Sequence, residues 1–456
     1  MNQTHPAAAP HERVRYSVLL VASLAVAFLV RLYFATRLLP APIADSASHL
    51  EPIYNYCSSG KLVSYLVPYD PTGAFRFIWH GPLPPILYRL LDNGCSLHSV
   101  YELRAAFFLI IPLALLILVR RGQLSNGAWF SVSVFCLAAG DQIGFRPEHI
   151  CIVFVVLACV ARSVGQIALE GVCWGFLFLA SPVSGLLYGI LRALSSVVAN
   201  PKEIPREILR FVLGALPAIA IVFSLYPYSV ADWLAGMKMQ TSIISSGSEG
   251  DVFTYFVRSD FLPLWGISLC ILVVALIVSR GYAGLIYLAF LPFVWYFGLR
   301  RPTTSYNLLT TAVILFLLGY PSMSRRWRIV ASAALLVPGL LGIAEQSARD
   351  GLSLAIYPDS FDRTRSTIAS LIANGDKIVS APTFAIFTNP ELGTVADQYL
   401  PHTRSGGSND VLITQNSGAA GAACPGGASS VNAAAPLPSW SIFKSSSSWA
   451  INVCRY

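Results

Sequence analysis

The chain has 456 residues, of which 55% are hydrophobic and only 12% charged, and its formal net charge is +8. Soluble domains normally carry about a quarter charged residues, so this composition excludes an ordinary soluble protein and indicates an integral membrane protein. The basic residues form short clusters between apolar runs and are not interleaved with aromatic side chains, which argues against nucleic acid as a partner.

Eleven apolar runs predict eleven membrane-spanning helices, although several are shorter than the roughly 20 residues of a straight span. The runs cover residues 16–36, 100–119, 127–140, 150–164, 168–180, 184–198, 208–226, 261–279, 281–299, 305–320 and 326–344. With a cytoplasmic N-terminus, basic residues such as Arg13, Arg121 and Arg328 fall on the inner side, as the positive-inside rule requires. We read residues 168–198 as two helices around Ser181, because one fewer crossing would place the later basic clusters outside. The sequence thus predicts a multi-pass inner-membrane protein with a periplasmic C-terminal tail.

The first run lacks a good cleavage site and is interpreted as a retained membrane anchor. The outer region that follows, residues 37–99, is too long for a simple connector and should have its own structure. Apolar residues within 45–59 recur at helical spacing, which predicts an amphipathic helix lying on the membrane surface. A second helix is predicted after His80-Gly81-Pro82, with Pro84 and Pro85 in its first turn.

Candidate site residues are concentrated in this outer region. Asp45 follows the first helix closely, and His49, Glu51 and His80 lie in the same region. A carboxylate held just outside a bilayer could act on a lipid-linked substrate whose phosphate lies at that depth. The alternative is that Asp45 is an ordinary loop or helix-capping residue. His80 is expected to order the loop, and His49 either orients Asp45 or is a plain surface histidine.

A short outer loop around residues 141–149 carries further candidates, namely Asp141, Arg146 and Glu148. Glu148 either takes a direct role or forms a local pair with Arg146 or His149. Another outer loop contains Arg300 and Arg301, where positive charge is disfavoured. This pair is either a tolerated exception or a clamp for a lipid phosphate, since guanidinium groups bind phosphate oxygens in two-pronged geometry.

The tail changes character, and we predict two domains, a membrane domain over 1–344 and a periplasmic α/β subdomain over 345–456. The predicted tail elements are a helix over 361–373, strands over 377–381 and 410–414, a loose loop over 416–438, and a terminal hairpin of 440–444 with 449–455. Cys424 and Cys454 are candidates for a disulfide that staples this subdomain, and two free thiols are the alternative. The cysteine spacing gives no metal motif, so no metal site is predicted.

Several short motifs resemble the polyprenyl-phosphate-sugar-dependent GT-C glycosyltransferases of the protein O-mannosyltransferase and aminoarabinose transferase type. The motifs are Arg31-Leu32, Asp45, the stretch 54–60, and Trp79-His80-Gly81-Pro82-Leu83, with 144–149 resembling the family's Arg-containing acidic loop. The resemblance covers roughly residues 13–200. Two departures are Ser46, where many members have Glu, and Gly81, where Pro is common.

The resemblance implies a mainly α, GT-C-like membrane protein that moves a sugar from a polyprenyl-phosphate donor to a lipid, glycan or protein acceptor, with inversion. The base that takes the acceptor's proton is expected to be Asp45, and the alternative carboxylates are Glu51, Glu148 and Asp141. The residues expected at the substrate are His49, His80, Asp141, Arg146, Arg300 and Arg301. Arg or Lys side chains, or a divalent metal ion, would stabilise the leaving phosphate.

Two other classes of protein remain open. A lipid-linked polysaccharide polymerase or ligase also has many helices and a large outer loop, but such proteins usually place that loop late in the chain. A transporter or non-catalytic envelope protein is the third interpretation. Transporters commonly have an inverted repeat and several charged residues within their membrane helices. This sequence shows no inverted repeat, and its apolar runs contain few charges.

Overall fold

The structure, a computed structural model, describes part of the chain. The described residues are 10–42, 44–64, 70, 72–92, 96–199, 204–246, 262–280, 306–380, 410–415, 429–433 and 448–455, and at some of them, Asp45 included, only the main chain is described. Within these ranges the chain is mainly helical.

Helices account for most of the described chain. In chain order they are α1 (Pro10–Thr36), α2 (Ala44–Ser59), α3 (Leu83–Leu91), α4 (Leu97–Arg120), α5 (Asn126–Ile143), α6 (Glu148–Ser163), α7 (Ile167–Ala180), α8 (Pro182–Ala199), α9 (Ile204–Leu225), α10 (Val230–Ser246), α11 (Leu262–Arg280), α12 (Tyr306–Gly319), α13 (Arg325–Ile356) and α14 (Ser360–Ala373). The predicted apolar runs coincide with helices except for run 281–299, which lies outside the described residues. The total of eleven crossings therefore stays a prediction.

Four described helices are long and apolar enough to cross a membrane: Ser17–Thr36, Leu97–Arg120, Pro205–Leu225 and Arg325–Ile356. Shorter apolar helices include Ile167–Ala180. The prediction of two helices within 168–198 is confirmed, because Ser181 adopts an extended conformation between α7 and α8. Helix α10 was not predicted, since its segment is too polar to form an apolar run.

Small residues allow some helices to pack at close range. A Cβ atom placed on Gly171 of α7 would lie 2.0 Å from the carbonyl oxygen of Phe211 in α9. In the reverse direction, a Cβ on Gly214 would lie 2.1 Å from the carbonyl oxygen of Ala168. Membrane helices associate in this way when glycine lets their main chains approach.

Buried ion pairs form at two opposite ends of the helix bundle. At the end that contains α2, Arg31 contacts Asp141 at 2.6 Å and Asp350 at 3.0 Å, joining α1, α5 and α13. At the opposite end, Arg192 of α8 contacts Glu170 of α7 at 2.8 Å. The ends of α1, α5 and α13, which the alternating topology predicts on the same side of the membrane, therefore lie together.

Helix α2 is present as predicted, and its position along the membrane surface stays a prediction. Its apolar residues Ala47, Leu50 and Ile53 are buried, and so are His49 and Glu51 on its polar side. The hydrophobic pattern predicts one apolar face covered by lipid. The rest of the outer region covers the polar face as well, and local periodicity cannot show this.

The tail contains a four-stranded sheet in the order β1-β2-β4-β3, with β1 parallel to β2 and the other pairs antiparallel. The strands are β1 (Lys377–Ser380), β2 (Asp410–Gln415), β3 (Ser429–Ala433) and β4 (Ile451–Arg455). Helix α14 and strands β1, β2 and β4 match predicted elements. Strand β3 lies inside the predicted loose loop, because its Ser-Ser-Val-Asn-Ala sequence has little strand propensity of its own.

The predicted terminal hairpin is wrong. Strand β4 pairs with β2 on one edge and with β3 on the other, so neither edge is left for residues 440–444. These residues themselves lie outside the described chain. The division of the chain into domains at residue 344 stays a prediction.

Cysteines follow the predicted division between apolar helices and outer regions. Cys57 and Cys454 are each disulfide-bonded. Those in or near apolar helices are free, and they are Cys136, Cys151, Cys159, Cys173 and Cys270. Because Cys424 lies outside the described residues, its pairing with Cys454 stays a prediction.

Candidate functional site

The segment between α1 and α2 is held by hydrogen bonds to distant parts of the chain. The Tyr101 hydroxyl donates to the carbonyl oxygen of Pro40 at 3.0 Å. The main-chain N–H of Phe145 donates to Ser46 Oγ at 2.8 Å. Asp45, the second residue of α2, directly precedes Ser46 and therefore lies beside the loop between α5 and α6.

Two histidines from different segments meet at this end of the bundle. The His49 and His80 rings lie 4.6 Å apart, nearly perpendicular, and the His49 ring lies 5.6 Å from that of Trp79. The main-chain N–H of Gly81 donates to His80 Nδ1 at 3.0 Å. Neutral His80 must therefore carry its proton on Nε2, which is left as a hydrogen-bond donor. The expectation of a plain surface histidine at position 49 is wrong, because His49 is buried.

Burial keeps both rings uncharged. It lowers the pKa of His80 to about 4, with the Glu148 carboxylate opposing this shift and the Arg146 guanidinium adding to it. Burial lowers the pKa of His49 well below its usual value, and the nearby His80 and Arg146 lower it further. Both imidazoles are therefore neutral hydrogen-bonding groups near pH 7.

Arg146 and Glu148 lie in the loop that joins α5 to α6. Arg146 Nε contacts Glu148 Oε2 at 3.2 Å, and both side chains are buried. This contact is the local pair that the sequence analysis gave as the alternative for Glu148. Since both residues also shape the electrostatics of His80, the structure brings together His49, His80, Arg146 and Glu148.

Further contacts fix the shape of this loop. His149 Nδ1 hydrogen-bonds the carbonyl oxygen of Arg146, so Nδ1 is the protonated nitrogen. His149 Nε2 then accepts from the Tyr88 hydroxyl at 2.9 Å. Gly144 has φ +65°, and a Cβ there would lie 2.4 Å from Ser46 Oγ. The loop therefore requires glycine at this position.

The other predicted site residues have different surroundings. Glu51 accepts hydrogen bonds from Ser64 Oγ at 2.9 Å and from Asn55 Nδ2 at 3.5 Å, which ties α2 to the loop that follows it. Asp141 pairs with Arg31 in the buried network of α1, α5 and α13. Arg300 and Arg301 lie outside the described residues, so the phosphate clamp stays a prediction.

Sequence reasoning missed several residues at this end of the bundle. The Arg104 guanidinium lies 4.7 Å from the Phe145 ring centre and 5.6 Å from that of Tyr101. Its charge inside an otherwise apolar helix was a usable signal. Tyr88 and Asp350 gave no such signal, because their partners come from distant parts of the sequence.

No group of three or more His, Cys, Asp or Glu side chains able to hold a metal ion occurs among the side chains that the structure describes, a set that does not include Asp45. Stabilisation of the phosphate by cationic side chains or by a metal ion therefore stays a prediction.

No family model matches the chain, and no curated protein matches it. A solved structure does: the crystal structure of ArnT from Cupriavidus metallidurans bound to undecaprenyl phosphate, at 13% sequence identity, a TM-score of 0.50 and 98% coverage of both chains. The chain has an ArnT-like fold. This confirms the mainly helical fold, and the apolar helices indicate an integral membrane protein. The orientation of the termini stays a prediction.

Proposed function

We propose that the protein is an integral-membrane glycosyltransferase that moves a sugar from a polyprenyl-phosphate donor to an acceptor hydroxyl on the periplasmic side. The observation that carries the proposal is the fold, which matches over almost the whole chain that of a protein crystallised with undecaprenyl phosphate. The buried group of His49, His80, Arg146 and Glu148 beside the start of α2 supports it, because polar groups converge there at one end of an apolar bundle.

In the proposed reaction, the acceptor oxygen attacks the anomeric carbon as the bond between that carbon and the phosphate oxygen breaks. The acceptor proton goes to the Asp45 carboxylate, and the electron pair of the broken bond stays on the polyprenyl phosphate. One displacement inverts the anomeric configuration, and no covalent enzyme intermediate is required. A carboxylate base of this kind suits an acceptor hydroxyl that is weakly nucleophilic.

Neutral histidines fit this reaction. The Nε2–H of His80 can donate a hydrogen bond to a phosphate or sugar oxygen without bringing in a charge that would oppose proton transfer to Asp45. The positive charge that the leaving phosphate needs would come from Arg146, within the described chain, and from Arg300 and Arg301. The Arg146–Glu148 contact holds the first of these in place.

The function can be tested with purified protein in liposomes. Polyprenyl-phosphate sugars extracted from the host membrane are added, and the release of polyprenyl phosphate and the glycosylated acceptor are followed by mass spectrometry. Cells with the gene deleted and restored identify the acceptor by comparison of envelope glycans and lipids. Transfer of the intact lipid-linked sugar across the bilayer without cleavage would contradict the proposal and favour a transporter.

The main alternative enzyme is a lipid-linked polysaccharide polymerase or ligase. Such an enzyme would consume a multi-sugar lipid carrier, whereas the proposed enzyme uses a monosaccharide donor. Supplying each donor separately distinguishes the two.

A further inference from the structure

We propose that Trp449, in the C-terminal part of the chain, is a positioning residue for the segment that carries Asp45. The proposal rests on the function proposed above. Trp449 directly precedes β4 and connects this part of the chain to the segment before α2, although β4 and α2 are separated by most of the sequence.

Trp449 is fixed to helix α14. Its side chain is completely buried. Its main-chain N–H donates to Ser360 Oγ at 3.3 Å, and its carbonyl oxygen accepts from Thr364 Oγ1 at 2.8 Å. The indole also packs edge-to-face on Phe361, with ring centres 5.3 Å apart. These contacts with α14 fix the position of the indole independently of its contact with Leu38.

The indole N–H of Trp449 reaches the turn after α1. It donates to the carbonyl oxygen of Leu38 at 2.8 Å, across 411 positions of sequence. Leu38 is buried and has φ +56°, a left-handed conformation that is unfavourable for leucine. Such a conformation persists only where the surroundings enforce it, and Trp449 supplies a buried partner there.

Leu38 is the first of three points at which this segment is held. Tyr101 holds Pro40, and Phe145 holds Ser46, each through a hydrogen bond from a different element. Asp45 lies between the second and third points. Loss of the first would leave the α1 end of the segment held only by the main-chain hydrogen bonds of Leu38 and Leu39 to α1, and would let the main chain at Asp45 shift. A misplacement of about 1 Å can cost on the order of 100-fold in rate.

The chain offers a matched control in Trp129. Its indole N–H donates to the carbonyl oxygen of Pro112 at 2.9 Å, and its side chain is also buried. This contact joins α4 to α5 far along α4 from the site. Trp449→Phe and Trp129→Phe therefore remove the same donor from two buried positions, and only the first affects the segment before α2. Thr364→Val weakens the link between Trp449 and α14 without touching the Leu38 bond.

The full chain carrying each substitution is compared with wild type in detergent or liposomes. Hydrogen exchange of peptides covering 37–46 is expected to accelerate in Trp449→Phe and to stay at the wild-type rate in Trp129→Phe. For the reaction, kcat per donor-binding site is expected to fall about 10-fold in Trp449→Phe. The donor KM should change less than about twofold, since the lipid contacts are intact. Normalising to binding sites removes the effect of unfolded protein.

Wild-type exchange in the 37–46 peptides of Trp449→Phe would overturn the proposal. An equal loss of kcat per site in Trp129→Phe, or faster exchange with unchanged kcat, would also overturn it. If wild-type protein transfers no sugar at all, the proposed function fails, and the exchange data alone decide whether Trp449 holds the segment.

Discussion

At the residue scale, we propose different roles for Asp45 and Glu51, two carboxylates on one helix. They lie fewer than two turns apart on α2. Asp45 adjoins Ser46, which is bonded to the loop that contains Arg146, whereas Glu51 accepts hydrogen bonds from Ser64 and Asn55. Glu51 therefore has the surroundings of a residue that fixes a loop, which leaves Asp45 as the preferred base.

Asp45→Asn should reduce sugar transfer by about 100- to 10,000-fold, since a general base contributes that much and an amide cannot accept the proton. Asp45→Glu should also lose most activity, because the longer side chain displaces the carboxylate from the line of attack. Initial rates of polyprenyl phosphate release at equal protein inserted in liposomes measure both effects.

Glu51→Gln is the control, because it keeps an acceptor for Ser64 and should retain most activity. Full activity of Asp45→Asn beside an inactive Glu51→Gln or Glu148→Gln would move the base to another carboxylate. Wild-type activity in all three variants, and in Asp141→Asn, would contradict the carboxylate mechanism.

The buried histidines predict a dependence of stability on pH. The pKa of His80 falls from 6.5 in the unfolded chain to about 4 in the folded protein. Between these values the unfolded state binds more protons, so stability should decrease as the pH falls from about 6.5 towards 4. His80→Gln removes this titration and should make the dependence shallower, because the buried His49 still titrates. Thermal unfolding midpoints of both proteins at pH 7 and pH 5 provide the measurement, and equal decreases in the two would contradict the prediction.

At the element scale, local patterns and long-range contacts account for different parts of the structure. Apolar runs predict the helices well because hydropathy is a local property, and Ser181-Pro182 was enough to separate α7 from α8. The burial of His49 and the pairing of β3 with β4 depend on distant segments. The same holds for the site, where the sequence supplied His49, His80, Arg146 and Glu148 as candidates. The sequence could not show that these side chains meet, nor that Tyr88 hydrogen-bonds the neighbouring His149.

The contact between α7 and α9 predicts a strict requirement for glycine. A Cβ at Gly214 would meet main-chain atoms of α7, which no side-chain rotation can relieve. Overpacking typically costs about 1–3 kcal/mol, and a clash with main chain belongs at the upper end of that range or beyond it. Gly214→Val should therefore lower the unfolding midpoint strongly and reduce the yield of monodisperse protein.

Gly127→Ala is the matched control for this change. A Cβ at Gly127 meets nothing within 4 Å, and alanine is the better helix former. Size-exclusion profiles in detergent should be normal for Gly127→Ala and aggregated for Gly214→Val. Similar profiles for the two variants would show that the close packing of α7 on α9 has no special role.

At the scale of the whole molecule, the buried ion pairs mark two opposite ends, and the proposed chemistry is assigned to the end that contains α2. The basic clusters predict that this end is periplasmic. Reporter fusions after Arg121 and after Arg328 should therefore read cytoplasmic, and one after Ser408 periplasmic. A cytoplasmic reading at Ser408 would place the tail on the wrong side of the membrane for the proposed reaction.

The contact of Arg31 with Asp141 and Asp350 has a consequence for biogenesis. Arg31 enters the membrane region with the first helix, whereas Asp350 is synthesised more than three hundred residues later. A charge without its partner is costly at the boundary of a bilayer. Asp141 can pair with Arg31 once α5 is inserted, whereas the second carboxylate arrives only with α13. We therefore expect this buried site to be completed late in assembly.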